Sequence, residues 1–350
     1  MSLSVLSVGY PFASVGADAV GGAEQVLAQL DAALTAAGHR SLVIAPEGSE
    51  VQGTLVGSTP VRGPVTQARR TAAWAEHRRL IDAVLDRDCV DVVHLHGIDF
   101  AEYLPASERA RLLATLHLPP SWYPARVFED GRRDLTLQCV SQRQRLSCPA
   151  GAGMGPVIEN GVSVESLASR ARKRHYAMAL GRICPEKNLH TALDAGRLAR
   201  VPVLIGGQVY PYESHERYFR DAVLPRLDRR CRFLGPLGFR RKRRLLTAAR
   251  CLLLPTLAPE TSSLVAMEAM ACGTPVVAYP SGALPDIVEH GVTGWLVRSA
   301  QEMADAIAAC EELDPQACRA AARERFSLQR MVEGYFSAYR QLARGVQLAR

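Results

Sequence analysis

Short apolar runs alternate with helix-period segments along almost the whole chain, and this alternation restricts the fold more than any other feature. A strand that is followed by a helix and then another strand needs a crossover. The pattern therefore predicts parallel sheets with right-handed connections, not hairpins. In the first half the strand candidates are Leu3–Val8, Ser41–Ala45, Val90–Leu95, Leu112–Leu116 and Leu135–Val140. A helix over Gly22–Ala37 would place Val26, Leu27, Leu30 and Leu34 on one face and stop at Gly38, and Thr66–Arg87 reads as a second helix. Gly48–Gly63 reads as a loop with room for one short strand, and the Gly- and Pro-rich stretch Ser147–Gly155 marks a break. A second series follows, with strands at Ala177–Leu180, Val203–Ile205, Arg232–Leu234, Cys251–Leu254 and Val276–Ala278. Its helices are expected at Leu189–Ala199, His215–Leu227, Arg241–Ala249 and Leu264–Ala271, with an amphipathic tail helix at Ser327–Leu342. Two doubly wound α/β domains result, with ligand crevices at the carboxyl ends of their strands.

Composition agrees with two globular domains: 350 residues, 48% hydrophobic and 22% charged. No run approaches the ~18 apolar residues of a membrane span, and the N-terminus reads as a first strand, not a signal peptide. Nine cysteines without a C-x-x-C pair or regular spacing indicate neither a zinc site nor a disulfide framework, so reduced core residues and a cytoplasmic location are expected. The net charge of +7 is partly concentrated in Arg229-Arg230-Cys231-Arg232 and Arg240–Arg244. Such runs are usually a solvated helix face; they also suit peripheral contact with an anionic membrane. No aromatic residues interleave with them, which excludes a nucleic-acid surface.

The chemistry concentrates after the run Cys251–Leu254. Glu260 lies in the loop that follows it, and Glu268 falls about a turn and a half into the next helix. The free amides at that helix start suit a phosphate, and the two carboxylates suit hydroxyls. Phosphate amides with two hydroxyl acceptors are what a sugar nucleotide needs; the alternative is an acid that complements the helix dipole plus one on the solvent face. Arg182 and Lys187, just after Ala177–Leu180, supply two cations that can neutralise a diphosphate without a metal. Gly21 and Gly22 open a helix after the first strand and allow close backbone approach to a ligand. His94 and His96 form an H-x-H pair that lacks a third metal ligand, and His117 ends the following strand. Asp86-Arg87-Asp88 has the D-x-D spacing of metal-dependent sugar transfer, yet it stands at a helix end where solvation explains it.

The stretch Glu260–Val277 with Gly282–Val297 resembles the C-terminal half of retaining glycosyltransferases of family GT4, whose E-x7-E motif it carries. Gly181-Arg182-Ile183-Cys184-Pro185-Glu186-Lys187-Asn188 and Arg232–Leu237 extend the resemblance, and Gly21–Glu24 and Thr115–His117 share it more loosely. It implies a GT-B fold, two doubly wound Rossmann-like domains facing across a cleft. The expected divisions are an acceptor domain over 1–165, a nucleotide-sugar domain over 166–326, and a tail helix over 327–350 that crosses back to the first domain. The implied activity is retaining transfer of a hexose from a nucleoside diphosphate sugar, UDP-sugar in preference to GDP-sugar, to an acceptor hydroxyl. A nucleotide-sugar 2-epimerase, a glycosyl phosphorylase and a non-catalytic sugar-nucleotide sensor are the alternatives.

The resemblance makes His117 and Glu260 the catalytic candidates, with Glu260 orienting sugar hydroxyls. It assigns the diphosphate to Arg182, Lys187 and the segment Thr261, Ser262, Ser263 and Leu264, the ribose to Glu268, and the base edge to Gly235 and Leu237. Gly21 and Gly22 would touch donor diphosphate or acceptor. No cofactor and no metal are expected. The acceptor, whether glycan, lipid-linked or small molecule, is not legible. Thr261-Ser262-Ser263 stands where the family usually has Pro-Phe-Gly, which leaves donor-sugar preference open.

Overall fold

The first sheet contains β1 (Ser4–Val8), β2 (Arg40–Pro46), β3 (Thr54–Ser58), β4 (Val92–Leu95), β5 (Arg111–Leu116) and β6 (Leu135–Cys139). The second contains β7 (Ala177–Leu180), β8 (Val203–Gly206), β9 (Arg232–Phe233), β10 (Leu252–Leu254), β11 (Val276–Ala278) and β12 (Gly294–Leu296). This computed structural model describes residues 2–106, 109–129, 131–150, 153–169, 171–346 and 348; the expected break over 147–155 thus includes two residues, 151 and 152, outside the description. Strand order is β3-β2-β1-β4-β5-β6 in one sheet and β12-β11-β10-β7-β8-β9 in the other. Every strand pairing in both is parallel. Each sheet grows outward from its first strand and then reverses, so a topological switch point lies between β1 and β4 and another between β7 and β10.

The chain divides into two units, one of residues up to Glu159 together with those from Met331 onward, the other Asn160–Arg330. In each, helices cover both faces of the sheet, which is why inner strands such as Val5–Val8 and Leu252–Leu254 are buried without alternation. The helix Gly22–Ala36 buries Val26, Leu27, Leu30 and Leu34, as its period requires.

Two edge strands depend on details that periodicity cannot carry. Asp31, fully buried on the first helix, accepts from the Ser41 hydroxyl (2.6 Å) and from the amides of Gln52 (2.6 Å) and Gly53 (3.1 Å). That carboxylate fixes the turn into β3, inside the segment expected to be mostly loop. β12 has three residues, and a Cβ at Gly294 would collide with the Val276 backbone of β11. The helix expected over His215–Leu227 is broken into an α-helical part (Glu213–Tyr218), a π turn (Phe219–Val223) and a 3-10 turn (Leu224–Arg226). Pro225 lacks the amide that would continue the ladder. Ala300–Ala309 and Pro315–Arg325 are further helices, opened by Ser299 and Asp314 caps.

The tail helix Leu328–Ala343 is anchored by buried phenols. Tyr339 Oη lies 2.7 Å from His94 Nδ1, and Tyr335 Oη lies 3.1 Å from Thr115 Oγ1 and donates to Gln138 Oε1 at 2.8 Å. Thr115 also donates to Gln138 (2.7 Å) and pairs with His94 Nε2 (2.7 Å), so five buried polar groups on β4, β5, β6 and the tail form one network. Satisfied buried groups of this kind are costly to unpair. Tyr335→Phe should therefore lower unfolding stability by about 1–3 kcal/mol, read as a shift in urea midpoint at constant slope; an unchanged midpoint would contradict a structural role for the hydroxyl.

Candidate active site

At the switch point of the second sheet, the loops after β7 and β10 are stitched together. β7 ends at Leu180, and Cys184 leads into the turn Pro185–Lys187. Asn188 follows in the left-handed conformation (φ 52°), where asparagine is tolerated better than most residues. Its side-chain amide donates to Pro255 O (3.0 Å) and its Oδ1 accepts from Thr191 (2.9 Å). Glu186 O accepts from the Leu257 amide (2.8 Å) and from the Thr256 hydroxyl (3.2 Å). The G-R-x-x-x-E-K-N stretch is thereby bound to the loop that carries Glu260, although about seventy residues separate them.

Lys187 Nζ pairs directly with Glu260 Oε1, and both side chains are largely withdrawn from solvent. Two residues assigned separately to diphosphate and sugar are thus partners of each other. Glu260 is held from behind: its carbonyl accepts from the Ala283 amide (2.7 Å), and Gly282 lies so close that a Cβ would strike the Glu260 backbone. Arg182 is partly buried, and its carbonyl accepts from the Cys184 thiol (3.7 Å).

The helix Leu264–Ala271 begins after Ser263, whose side chain makes no capping bond. Ala266 and Met267 donate to Ser263 O (both 3.1 Å), while the amides of Leu264 and Val265 have no acceptor within the helix. Thr261 and Ser263 are buried, and the buried Ser262 Oγ has no hydrogen-bond partner. Glu268 is buried, not on the solvent face. Its Oε1 accepts from Lys242 Nζ at 2.5 Å, and its Oε2 is buried without a partner. Buried polar atoms left open by the chain are normally completed by water, an ion or a ligand. Gly235 and Leu237 lie at the neighbouring strand ends: Gly235 O accepts from the Gly207 amide (3.0 Å), and Leu237 packs where a Cβ on Gly206 would stand.

Lys242 is the residue that the sequence did not reveal. It sits in the arginine run Arg240–Arg244 at the start of Phe239–Ala248, which reads as a solvated basic face. Arg240, Arg241 and Arg244 are exposed as that reading requires, whereas Lys242 turns inward. The only sequence cue is its position one helical turn before Leu246, on the face that also buries Leu246.

In the first unit, His117 follows β5, and its Nε2 lies 3.0 Å from His96 Nδ1. Burial pushes His117 down to about 3, and it holds His94 and His96 well below the ordinary histidine range, so all three are neutral at pH 7. Both ring nitrogens of His94 are occupied by Tyr339 and Thr115, which leaves it no lone pair for a metal. Gly21 caps the helix Gly22–Ala36, and the Glu24 carboxylate folds back over it, so a phosphate would have to displace that acid. Asp86 pairs with Arg109, and Asp88 with Arg40 and Arg87, at the end of the helix Gln67–Arg87. The D-x-D spacing is therefore taken up by arginines.

Two family models match the chain: Glycosyltransferase Family 4 over residues 20–152 and Glycosyl transferases group 1 over residues 174–312. Together they take in most of its length, and the chain belongs to the GT4 glycosyltransferases, with the GT-B fold. It is similar to a D-inositol 3-phosphate glycosyltransferase of Corynebacterium aurimucosum, 39% identical over 35% of this chain and 29% of that protein. It is also similar to a phosphatidyl-myo-inositol mannosyltransferase of Mycobacterium leprae, 27% identical over 83% of this chain and 84% of the other. Among solved structures, the Anabaena protein HepE in complex with UDP-glucose superposes with a TM-score of 0.74 at 20% identity, over 97% of this chain and all of that one. No helix among the described residues is long and apolar enough to cross a membrane.

The Lys242–Glu268 pair is buried enough that removing one partner strands the other's charge. Lys242→Met should cost about 3–5 kcal/mol of stability, and Lys242→Met with Glu268→Leu should recover most of it. Denaturant unfolding of both variants checks this, and a single-variant loss below about 0.5 kcal/mol would class the pair with screened surface contacts.

Proposed function

We propose that the protein is a retaining glycosyltransferase that moves a hexose from a nucleoside diphosphate sugar to an acceptor hydroxyl, with UDP-sugar as the preferred donor. One observation carries this reading. At the switch point between β7 and β10, two cations, an uncapped helix start and two acids are gathered, and Ser262 Oγ and Glu268 Oε2 are left open. The UDP-glucose complex of HepE supports the choice of donor. The names of the inositol-directed relatives direct acceptor trials to inositol phosphates, free and lipid-linked.

In this reading Arg182, Lys187 and the amides at the start of Leu264–Ala271 take the diphosphate, where negative charge grows as the glycosidic bond breaks. Lys187 exchanges Glu260 for phosphate, which frees that carboxylate to accept from sugar hydroxyls. Glu268 stays on Lys242 through one oxygen and receives the ribose through the other, and Gly235 and Leu237 meet the base edge. The acceptor oxygen bonds to the anomeric carbon on the face the diphosphate leaves, and a departing phosphate oxygen takes the acceptor's proton. No side-chain general base is needed. His117, neutral at pH 7, supplies a hydrogen bond to the sugar and no proton reservoir. Gly21 and Gly22 contact the acceptor or the diphosphate once Glu24 has moved. No metal takes part in the transfer, since two cations and helix amides meet the leaving group.

Proton NMR of the first product from an α-linked UDP-sugar should show the α configuration retained, at a rate independent of added Mg²⁺ or Mn²⁺. An inverted product refutes retention, and dependence on those ions refutes the metal-free transfer.

Two substitutions should fail differently. Lys187→Ala should depress kcat more than donor affinity, because its target charge develops in the transition state. Glu268→Ala should weaken free nucleoside diphosphate and donor alike by roughly 1.5–3 kcal/mol, with a smaller change in kcat. Calorimetric titration alongside saturation kinetics makes the comparison, and parental nucleotide affinity in Glu268→Ala would remove that residue from the ribose site.

A further inference from the structure

Cys184, Glu186 and His215 converge on one point beside the turn that presents Lys187. The Cys184 Sγ, a Glu186 carboxylate oxygen and a His215 ring nitrogen all lie within 4.8 Å of one another, the one such three-residue group among the described residues. Cys184 and His215 are buried, 0% and 7% exposed. Glu186 Oε2 and His215 Nδ1 are also buried, and neither has a hydrogen-bond partner. The Cys184 thiol bonds the Glu186 carboxylate, and two buried polar atoms without partners are expensive unless something completes them.

The three residues are placed firmly. Cys184 and Glu186 flank Pro185 in the turn whose backbone is bonded to Thr256 and Leu257. His215 lies in Glu213–Tyr218, with its amide on Tyr212 O (2.9 Å) and its ring against the Tyr212 ring at a 5.1 Å centroid distance. Thiolate, imidazole and carboxylate together are a donor set for zinc, whereas calcium and magnesium take oxygen ligands. Bond lengths of about 2.0–2.3 Å around a tetrahedral ion separate its ligand atoms by about 3.3–3.8 Å. The three ligand atoms, all within 4.8 Å of one another, lie near that spacing.

We propose that Cys184, Glu186 and His215 form a zinc-type metal site that clasps the Pro185–Lys187 turn to the helix Glu213–Tyr218. Binding displaces the Cys184 proton to solvent, and the resulting thiolate and the Glu186 carboxylate balance the two charges of the ion. Three protein ligands leave one position for water. The clasp is structural and stands apart from the sugar-transfer reading, since it requires no donor.

The test uses the full chain, purified without an affinity histidine tag or chelator and dialysed against metal-free buffer. After incubation with zinc and removal of the excess, mass spectrometric metal analysis should find about one zinc per chain. Cobalt in its place should give a thiolate-to-metal charge-transfer band in the near ultraviolet. Cys184→Ser should abolish that band. His215→Gln should weaken zinc at least about tenfold in competition with a chromogenic chelator, since even the partners of metal ligands are worth that much. Absence of both stoichiometric zinc and the cobalt band overturns the proposal, as does equal zinc uptake by a variant that combines Cys184→Ser with His215→Gln. Should the variants fail to fold, the cobalt band of the unaltered protein decides alone.

Discussion

The hydrogen bonds that join the Pro185–Asn188 turn to the loop after β10 are the constraint on which the candidate site rests. Asn188 on Pro255 O, and Leu257 and Thr256 on Glu186 O, tie together the ends of two adjacent strands of the second sheet. Parallel strands all deliver their carboxyl ends to one edge, so residues far apart in the chain can be collected there. The left-handed Asn188 serves twice, closing the turn and donating its amide across the gap. Lys187 and Glu260 meet because their backbones are bound first.

The two lysine–carboxylate pairs have different characters. Lys187–Glu260 retains some exposure on both sides. Lys242–Glu268 is more deeply withdrawn, and its carboxylate is only half used. Lys242 holds one oxygen of this buried acid and leaves the second presented. A polar environment fixed in advance in this way costs no reorganisation when a ligand arrives. Gly282 has a comparable passive role, because only a residue without a Cβ allows its loop to press on the Glu260 backbone.

The first unit handles polarity in the opposite way. His94, Thr115, Gln138, Tyr335 and Tyr339 satisfy one another, and what they secure is the return of the tail to the first sheet. Burial keeps the histidines neutral, so this network acts through hydrogen bonds and not through charge. Membership of the GT4 glycosyltransferases accounts for the two parallel sheets, while the Thr261-Ser262-Ser263 segment, the arginine ridge and the Cys184–Glu186–His215 group are features of this chain's own residues.

Ten of the twelve strands and the main amphipathic helices were legible by periodicity, because a strand covered on both faces must be apolar along its length. β3 was legible only as room for one short strand and β12 not at all, since one depends on a buried aspartate reaching across from a helix and the other on three residues at a sheet edge. The E-x7-E spacing and the G-R-x-x-x-E-K-N stretch identified the glycosyltransferase family, as local order fixes which groups stand at a strand end. Pairings across long sequence separations were not readable, because they depend on where side chains point after the sheet has formed. The sequence by itself determined the α/β class, the family and the short segments in which the candidate site residues lie. Only the tertiary structure decided that Lys187 holds Glu260, that Lys242 turns inward to Glu268, and that His215 joins Cys184 and Glu186, since direction and distance exist only once strands and helices are packed.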